Sequence, residues 1–91
     1  LLALDIDFFK KINDAYGHDI GDFVLIECVK ILKEVFHTSN DFVARVGGEE
    51  FCVVLSDCGE NQAVRRTETL LERIRKEVFV HGKFDIRFTL S

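Results

Sequence analysis

The sequence predicts one α+β domain built on a split βαβ sheet with helices on one face. Three observations lead to this prediction. A short apolar run at the start ends in acidic residues, two longer segments repeat apolar residues at helical spacing, and two apolar runs flank a glycine pair. Strands joined by helices, with one hairpin in the middle, favour this arrangement. A chain of 91 residues forms one domain at most, so residues 1–91 are expected to be a single unit.

The first half is predicted to contain a strand and two helical segments. Leu1–Asp7 is expected to be a buried strand, because its apolar run is short and ends in acids. Phe8–Tyr16 should make one or two helical turns before Gly17 and Gly21 interrupt the pattern. Asp22–Phe36 is expected to be an amphipathic helix with its apolar side chains on one face.

The second half is predicted to contain a hairpin, a helix and a last strand. Asp41–Val46 and Glu50–Leu55 should be strands around Gly47-Gly48, since glycine accepts the positive φ of a tight turn. Glu60–Val78 has helical 3–4 spacing, and Lys83–Leu90 alternates like a strand. The predicted order is therefore β-α-α-β-β-α-β.

Composition narrows the class of function. The net charge of −4 argues against a passive nucleic-acid binder, which normally carries a basic stripe. No apolar run approaches the roughly 20 residues that span a bilayer. Cys28, Cys52 and Cys58 form no C-x-x-C pair, so reduced thiols in a cytosolic protein are expected. The chain starts inside an apolar run without Met and stops in a strand-like run, so we expect a piece of a longer protein.

Acidic residues follow two of the predicted strands. Asp5 and Asp7 alternate with Ile6 and so lie on one side of the first strand, where they either cap the next helix or bind a ligand. Glu49 and Glu50 follow the glycine pair, although turn chemistry does not call for adjacent glutamates. If the first strand lies beside the hairpin, Asp5 and Glu49 converge. Magnesium prefers such oxygen ligands with open positions left for phosphates, and it would relieve the repulsion between the carboxylates.

The segment "FFKKIND" supplies the positive half of a candidate site. Backbone N–H groups at the start of a short helix can hold phosphate oxygens. Lys10 or Lys11 could add a charge; a solvated helix face is the alternative for both lysines, and Lys11 is expected to lie on such a face. The adjacent glycines of the hairpin would leave room for a nucleotide near the backbone.

With these residues in view, the chain resembles a GGDEF domain, the catalytic domain of diguanylate cyclases. "DIDFFKKINDAYGHDIGD" (Asp5–Asp22) and "RVGGEEF" (Arg45–Phe51) both match the family pattern, in the right order. The resemblance covers essentially all 91 residues, with Glu49 as a common variant of the signature's Asp. It implies a ferredoxin-like, palm-type, nucleotide cyclase-like sheet, which agrees with the arrangement predicted above.

The resemblance also implies a role for each motif position. Asp5, the carbonyl of Ile6 and Glu49 would bind Mg²⁺ (or Mn²⁺). Glu49 would also be the candidate base for the ribose 3′-hydroxyl, and Glu50 would support catalysis or a second metal ion. The implied substrate-binding residues are Phe8, Phe9, Lys10, Asn13, His18, Asp22, Gly47 and Gly48.

Within that set, the family assigns three tasks. Backbone amides from Phe8 to Lys10 would cradle the β- and γ-phosphates. Asn13 and Asp22 would hydrogen-bond the guanine edge, a task that suits a carboxylate because guanine offers paired donors at N1 and N2. His18 would lie near the substrate.

The implied reaction joins two GTP molecules into cyclic di-GMP and releases two pyrophosphates, as part of bacterial second-messenger signalling. One domain holds one GTP, so a homodimer would be needed, and a fused upstream sensor domain would control how its halves meet. No nucleic acid is expected as a partner. The domain would be cytoplasmic, alone or as part of a larger membrane-anchored protein.

Two departures from the family pattern qualify this expectation. Many members carry an inhibitory R-x-x-D motif before the hairpin; here Asp41 is present but Thr38 replaces the Arg, so no product inhibition through this site is expected. The family's segments before the first strand and after the last one, including a phosphate-reaching Lys and Arg, are also absent. This piece alone could therefore lack activity.

Two other classes of function compete with the enzyme. One is a non-catalytic GTP-binding GGDEF domain that regulates a neighbour, and the intact signature argues against it. The other is a pure dimerisation module in which the acids merely solvate the surface. That module would require coincidence at about ten motif positions, so it ranks last.

Overall fold

The computed structural model describes residues 2–36, 41–55 and 59–91 as three helices and five short strands. The elements are β1 (Leu2–Asp5), α1 (Phe9–Tyr16), α2 (His18–Val35), β2 (Asp41–Gly47), β3 (Glu50–Leu55), α3 (Glu60–Lys76), β4 (Phe79–His81) and β5 (Phe84–Ile86). The predicted α+β class is confirmed. The expected loop at 37–40 and part of the expected turn, at 56–58, lie outside the described residues.

The main sheet has the strand order β1-β3-β2, and both pairs are antiparallel. β1 and β2 therefore run parallel, with α1 and α2 connecting them across the inserted β3. On the free side of β1, Ile6 bridges Leu90, and Asp5 and Ser91 exchange two backbone hydrogen bonds of 2.9 Å. The last residues thus pair with β1 on the side opposite β3. The sheet has the split βαβ arrangement that the sequence predicts.

The core lies on one face of this sheet. Along β1 and β3, buried side chains alternate with more exposed ones, and the buried ones join residues of the helices in one core cluster. The central core residues are Leu4, Ile6, Val24, Cys28, Leu32, Phe51, Val53, Leu70 and Ile74. Burial raises the pKa of the Cys28 thiol to about 12, so this cysteine stays protonated. The opposite face of the sheet, which carries Asp5 and Glu50, is left open.

Several element boundaries differ from the sequence prediction. β1 ends at Asp5 rather than Asp7, and α1 begins at Phe9 rather than Phe8. α2 begins at His18, because Gly17 alone takes a positive φ (94°) while Gly21 is helical and buried. α3 ends at Lys76 rather than Val78. The predicted last strand is divided: Phe84–Ile86 forms half of a β4–β5 hairpin, which turns at Gly82 with a φ of 59°, and Leu90 bridges Ile6. None of the described helices has both the length and the apolar character needed to cross a membrane.

Asp7 holds the last residues of the chain against the exit of β1. Its carboxylate accepts hydrogen bonds of 2.6 Å from the hydroxyls of Ser91 and Thr89, and its backbone N–H donates to the Thr89 carbonyl at 2.9 Å. The helix-cap alternative is wrong for this residue, because α1 has Phe8 at its N-cap and no side-chain capping bond.

The hydrogen bonds of Asp7 with these two hydroxyls should make the free energy of unfolding depend on pH in the acidic range. The hydrogen bonds from Ser91 and Thr89 lower the pKa of Asp7 below its ordinary value of 3.8. Because the folded pKa is depressed, the stabilisation is present above pH 3.8 and is lost as the pH falls through the folded pKa. We expect the free energy of unfolding of wild type to exceed that of Asp7→Asn at neutral pH, and the difference to shrink in acid.

Urea unfolding across this pH range measures the difference directly. Asp85→Asn, at an exposed position of β5, is the matched control and should show no such convergence with wild type. A difference between wild type and Asp7→Asn that stays constant from neutral pH into acid would contradict the role assigned to Asp7.

Candidate functional site

The exit of β1 lies directly beside the hairpin turn. Asp5 is the cross-strand partner of Glu50, and the Ile6 N–H donates to the Glu49 carbonyl at 3.2 Å. Asp5 and Glu50 are both exposed and line one shallow depression of about 300 Å³ on the open face of the sheet. Directly opposed like charges destabilise a sheet. A bound cation would remove that penalty, which gives the adjacent carboxylates a functional explanation.

The turn itself is shifted by one residue from the prediction. Gly47 ends β2 and pairs with Glu50, so Gly48 and Glu49 form the turn rather than Gly47 and Gly48. Only Gly48 has a positive φ (49°), and its carbonyl accepts a hydrogen bond of 2.9 Å from Nε of Arg45. A Cβ built on either glycine would meet nothing within 4 Å. The turn therefore presents the half-buried Glu49 beside open space.

The oxygen donors at this site suit a cation whose coordination shell is completed by a bound ligand. Within residues 2–36, 41–55 and 59–91, no three His, Cys, Asp or Glu side chains form a cluster that could hold a metal ion by themselves. The available groups are hard oxygens from Asp5, Glu49 and Glu50, next to the backbone of Ile6. Magnesium typically takes one or two carboxylates and fills its other positions with water and substrate phosphates. The residues present fit that ion in that mode.

A strained residue opens the predicted phosphate cradle. Phe8 has φ 57° and ψ 32°, a left-handed conformation that costs a bulky residue about 1–3 kcal/mol. Right-handed α1 follows at once from Phe9. When a left-handed residue is followed by right-handed helical residues, their successive backbone N–H groups form a concave anion-binding nest. The N-terminus of the helix adds positive potential. The expected cradle over Phe8–Lys10 therefore has a suitable backbone shape.

The exposed side chain of Lys11 contacts the ring of Phe8. Its Nζ lies 5.0 Å from the ring centroid of Phe8, whose side chain is 71% exposed. This cation–π contact keeps one positive charge beside the start of α1. Lys10 is exposed at the same helix end.

The predicted guanine contacts come from the α1–α2 junction. Asn13 is half-buried, its carbonyl accepts the Gly17 N–H at 2.8 Å, and its side chain packs against Gly21. Asp22 is the next residue after Gly21 and is exposed. His18 is the exposed first residue of α2. The junction thus brings the Asn13 amide beside the turn of α2 that carries Asp22.

The structure also shows an ion pair that the sequence did not reveal. Arg66 of α3 pairs with the Asp41 carboxylate, whose side chain is only 1% exposed, and one of these hydrogen bonds measures 3.3 Å. The same guanidinium donates to the Val35 carbonyl at 3.4 Å and lies 5.0 Å from the Phe36 ring centroid. Arg66 therefore joins α3 to the end of α2 and the start of β2.

Comparison with known proteins gives one consistent family. The family model for "Diguanylate cyclase, GGDEF domain" matches residues 1–91. Diguanylate cyclase A of Treponema denticola is 49% identical over 91 residues, which are 100% of this chain and 24% of that protein. The response regulator PleD of Caulobacter vibrioides is 41% identical over 93 aligned residues, covering 99% of this chain and 20% of PleD. The chain thus spans about a quarter or less of these relatives.

Solved structures show the same likeness in three dimensions. The active GGEEF domain of a diguanylate cyclase from Vibrio cholerae has a TM-score of 0.86 at 36% identity, over 97% of this chain and 55% of that one. Diguanylate cyclase SiaD of Pseudomonas aeruginosa, solved with its activator SiaC, has a TM-score of 0.89 at 34% identity, over 98% of this chain and 34% of SiaD.

Proposed function

Because the chain belongs to the GGDEF family of diguanylate cyclases, we propose that it forms one half of an active site that condenses two GTP molecules into cyclic di-GMP. The observation that carries this proposal is the pairing of Asp5 with Glu50 beside the Glu49 turn. This pair lies on the open face of the sheet, a few residues from the helix start that is proposed to hold phosphates.

Each group of residues has a stated task in the proposed reaction. Asp5, Glu49 and the Ile6 carbonyl would hold Mg²⁺, which would supply charge neutralisation at the phosphates. The backbone N–H groups of Phe8–Lys10 orient the β- and γ-phosphates, so that the α-phosphorus faces the open side of the sheet. Asn13 and Asp22 select guanine through its hydrogen-bonding edge, with His18 close by.

Bond formation then requires a second copy. The 3′-oxygen of one GTP forms a bond to the α-phosphorus of the other, and the α–β bridging oxygen leaves with pyrophosphate. Glu49 accepts the proton of the attacking hydroxyl, and Glu50 supports the site beside it. One chain supplies one GTP and one set of ligands, so the two bonds of the cyclic product need a homodimer.

Control of that dimer is proposed to lie outside this chain. The chain spans 24% of one relative and 20% of another, so those relatives carry further segments that can hold sensor or regulatory domains. We place the domain in the cytoplasm, where GTP is available. Manganese would serve in place of magnesium, since both prefer oxygen ligands.

The test uses the full-length protein with GTP and Mg²⁺, and measures cyclic di-GMP by chromatography. Wild type should form product, and Glu49→Gln should lose about 10²-fold or more in kcat, because it removes a general base and a charged ligand. Glu68→Gln, at an exposed position of α3, is the matched control and should keep wild-type activity.

Three results would contradict parts of this proposal. Unchanged product from Glu49→Gln would remove that residue from the reaction. GTP binding by wild type without product would favour the regulatory, non-catalytic alternative. Absence of Mg²⁺-dependent GTP binding would exclude both and leave a dimerisation module.

A further inference from the structure

We infer that Gly21 is a positioning residue that seats the Asn13 side-chain amide for guanine recognition; this rests on the proposed function. Glycine is unfavourable inside a helix, where alanine is the better residue. Gly21 lies within α2 and is buried, and it is not among the residues with a positive φ. Backbone conformation therefore does not explain why glycine occupies this position.

The space beside Gly21 does explain it. A Cβ at this position would lie 1.8 Å from Oδ1 of Asn13, 2.9 Å from its Cγ and 3.4 Å from Cζ of Phe9. The Asn13 side chain thus fills the volume that any other residue at position 21 would need. At each of the other five glycines, a Cβ would meet nothing within 4 Å. The close approach is specific to this pair.

The contact fixes the Asn13 amide against α2, the helix that also carries Asp22. Asn13 is half-buried, its carbonyl binds the N–H of Gly17, and its amide group lies against the residue that precedes Asp22. An amide held in one orientation against this helix presents its donor and acceptor in a fixed direction, and such preorganisation contributes to affinity. A methyl group at position 21 would turn the amide away without touching the ligand.

A purely structural role for Gly21, as a site of close α1–α2 packing, makes a different prediction. The atom nearest to the added Cβ is the end of a side chain that can rotate, so Gly21→Ala should fold. If Gly21 acts through Asn13, its effect on nucleotide binding must vanish once Asn13 is truncated. If it acts through packing alone, the two effects add.

The experiment is a double-mutant cycle in the full-length protein with wild type, Gly21→Ala, Asn13→Ala and the double variant. The probes are 3′-deoxy-GTP, which lacks the attacking hydroxyl, and 3′-deoxy-ATP, each with Mg²⁺. Gly21→Ala and Asn13→Ala should each weaken 3′-deoxy-GTP binding about tenfold, the cost of one lost hydrogen bond. The preference over 3′-deoxy-ATP should fall by the same factor.

In the double variant, affinity should equal that of Asn13→Ala, and Tm should exceed it, because alanine favours the helix and the obstructing amide is gone. Additive losses, wild-type affinity in Gly21→Ala, or a Gly21→Ala protein that does not fold would overturn this inference alone. Failure of wild type to bind 3′-deoxy-GTP would instead overturn the proposed function, and this inference with it.

Discussion

Asp5→Asn is expected to abolish cyclic di-GMP synthesis, with a loss of about 10²-fold or more in kcat, equivalent to about 2.7 kcal/mol. The amide has the size of the carboxylate but is a neutral and weaker ligand for Mg²⁺. The substitution should leave the fold intact, because the side chain is exposed and the contacts of Asp5 with Ser91 are made by the backbone. The loss should therefore appear in activity and not in folding.

The same variant should be slightly more stable than wild type when no metal is present. Asp5 faces Glu50 across the sheet, and removing one of two opposed like charges should gain about 0.2–1 kcal/mol. Activity assays and thermal unfolding in a metal chelator measure the two effects separately. Asp85→Asn is the matched control, since it removes an exposed carboxylate from β5 and should change neither. Activity near the wild-type value in Asp5→Asn would refute the ligand role.

Arg66→Ala is expected to cost about 1–3 kcal/mol of unfolding free energy, the range for removing the hydrogen-bond partner of a buried polar group. The substitution removes the guanidinium that faces the buried Asp41 carboxylate, together with its contacts to Val35 and Phe36. The end of α2 and the start of β2 thus lose the α3 side chain that contacts both. Equilibrium unfolding in urea gives the loss directly.

Arg65→Ala provides the comparison for this prediction. It removes the neighbouring arginine, which is exposed on the same helix, and should shift stability by no more than about 0.5 kcal/mol. Equal unfolding free energies for the Arg65 and Arg66 variants would show that the Arg66–Asp41 pair contributes little net stability. A difference of the expected size would locate a structural role at Asp41, the position that other members use in an inhibitory motif.

Much of the fold could be predicted because the long elements have clear periodicity. α3 and most of α2 followed from apolar spacing, and the sheet followed from strands joined by helices around one hairpin. The start of α2 could not be predicted, because Gly21 has the usual appearance of a helix breaker. Its actual use depends on Asn13, a contact between two helices that no local pattern records.

The β4–β5 hairpin was missed for a different reason. Each strand has three residues, too few for alternation to distinguish a hairpin from one longer strand. Phe79 pairs with Ile86, and both side chains are buried in the core. This packing depends on the tertiary structure, so the local sequence pattern does not predict the pairing.

In the candidate site, the position of β1 beside the hairpin could be predicted from the sequence. The residue-by-residue pairing of β1 with β3 could not. Alternation placed Asp5 on the ligand side, and the split βαβ order placed β3 beside it. Which glutamate faces Asp5 depends on a one-residue shift of the turn, since such a shift moves every side chain to the other face. The structure has Glu50 opposite Asp5 and Glu49 in the turn.

The central claim is that the end of β1 and the hairpin turn share one divalent cation. Anomalous diffraction from crystals of the full-length protein with Mn²⁺ and 3′-deoxy-GTP measures this directly. We predict one peak within about 2.2 Å of a carboxylate oxygen of Asp5 and of an oxygen from Glu49 or Glu50. A manganese peak that contacts neither Asp5 nor the hairpin glutamates, or one that contacts only one of the two sides, would contradict it.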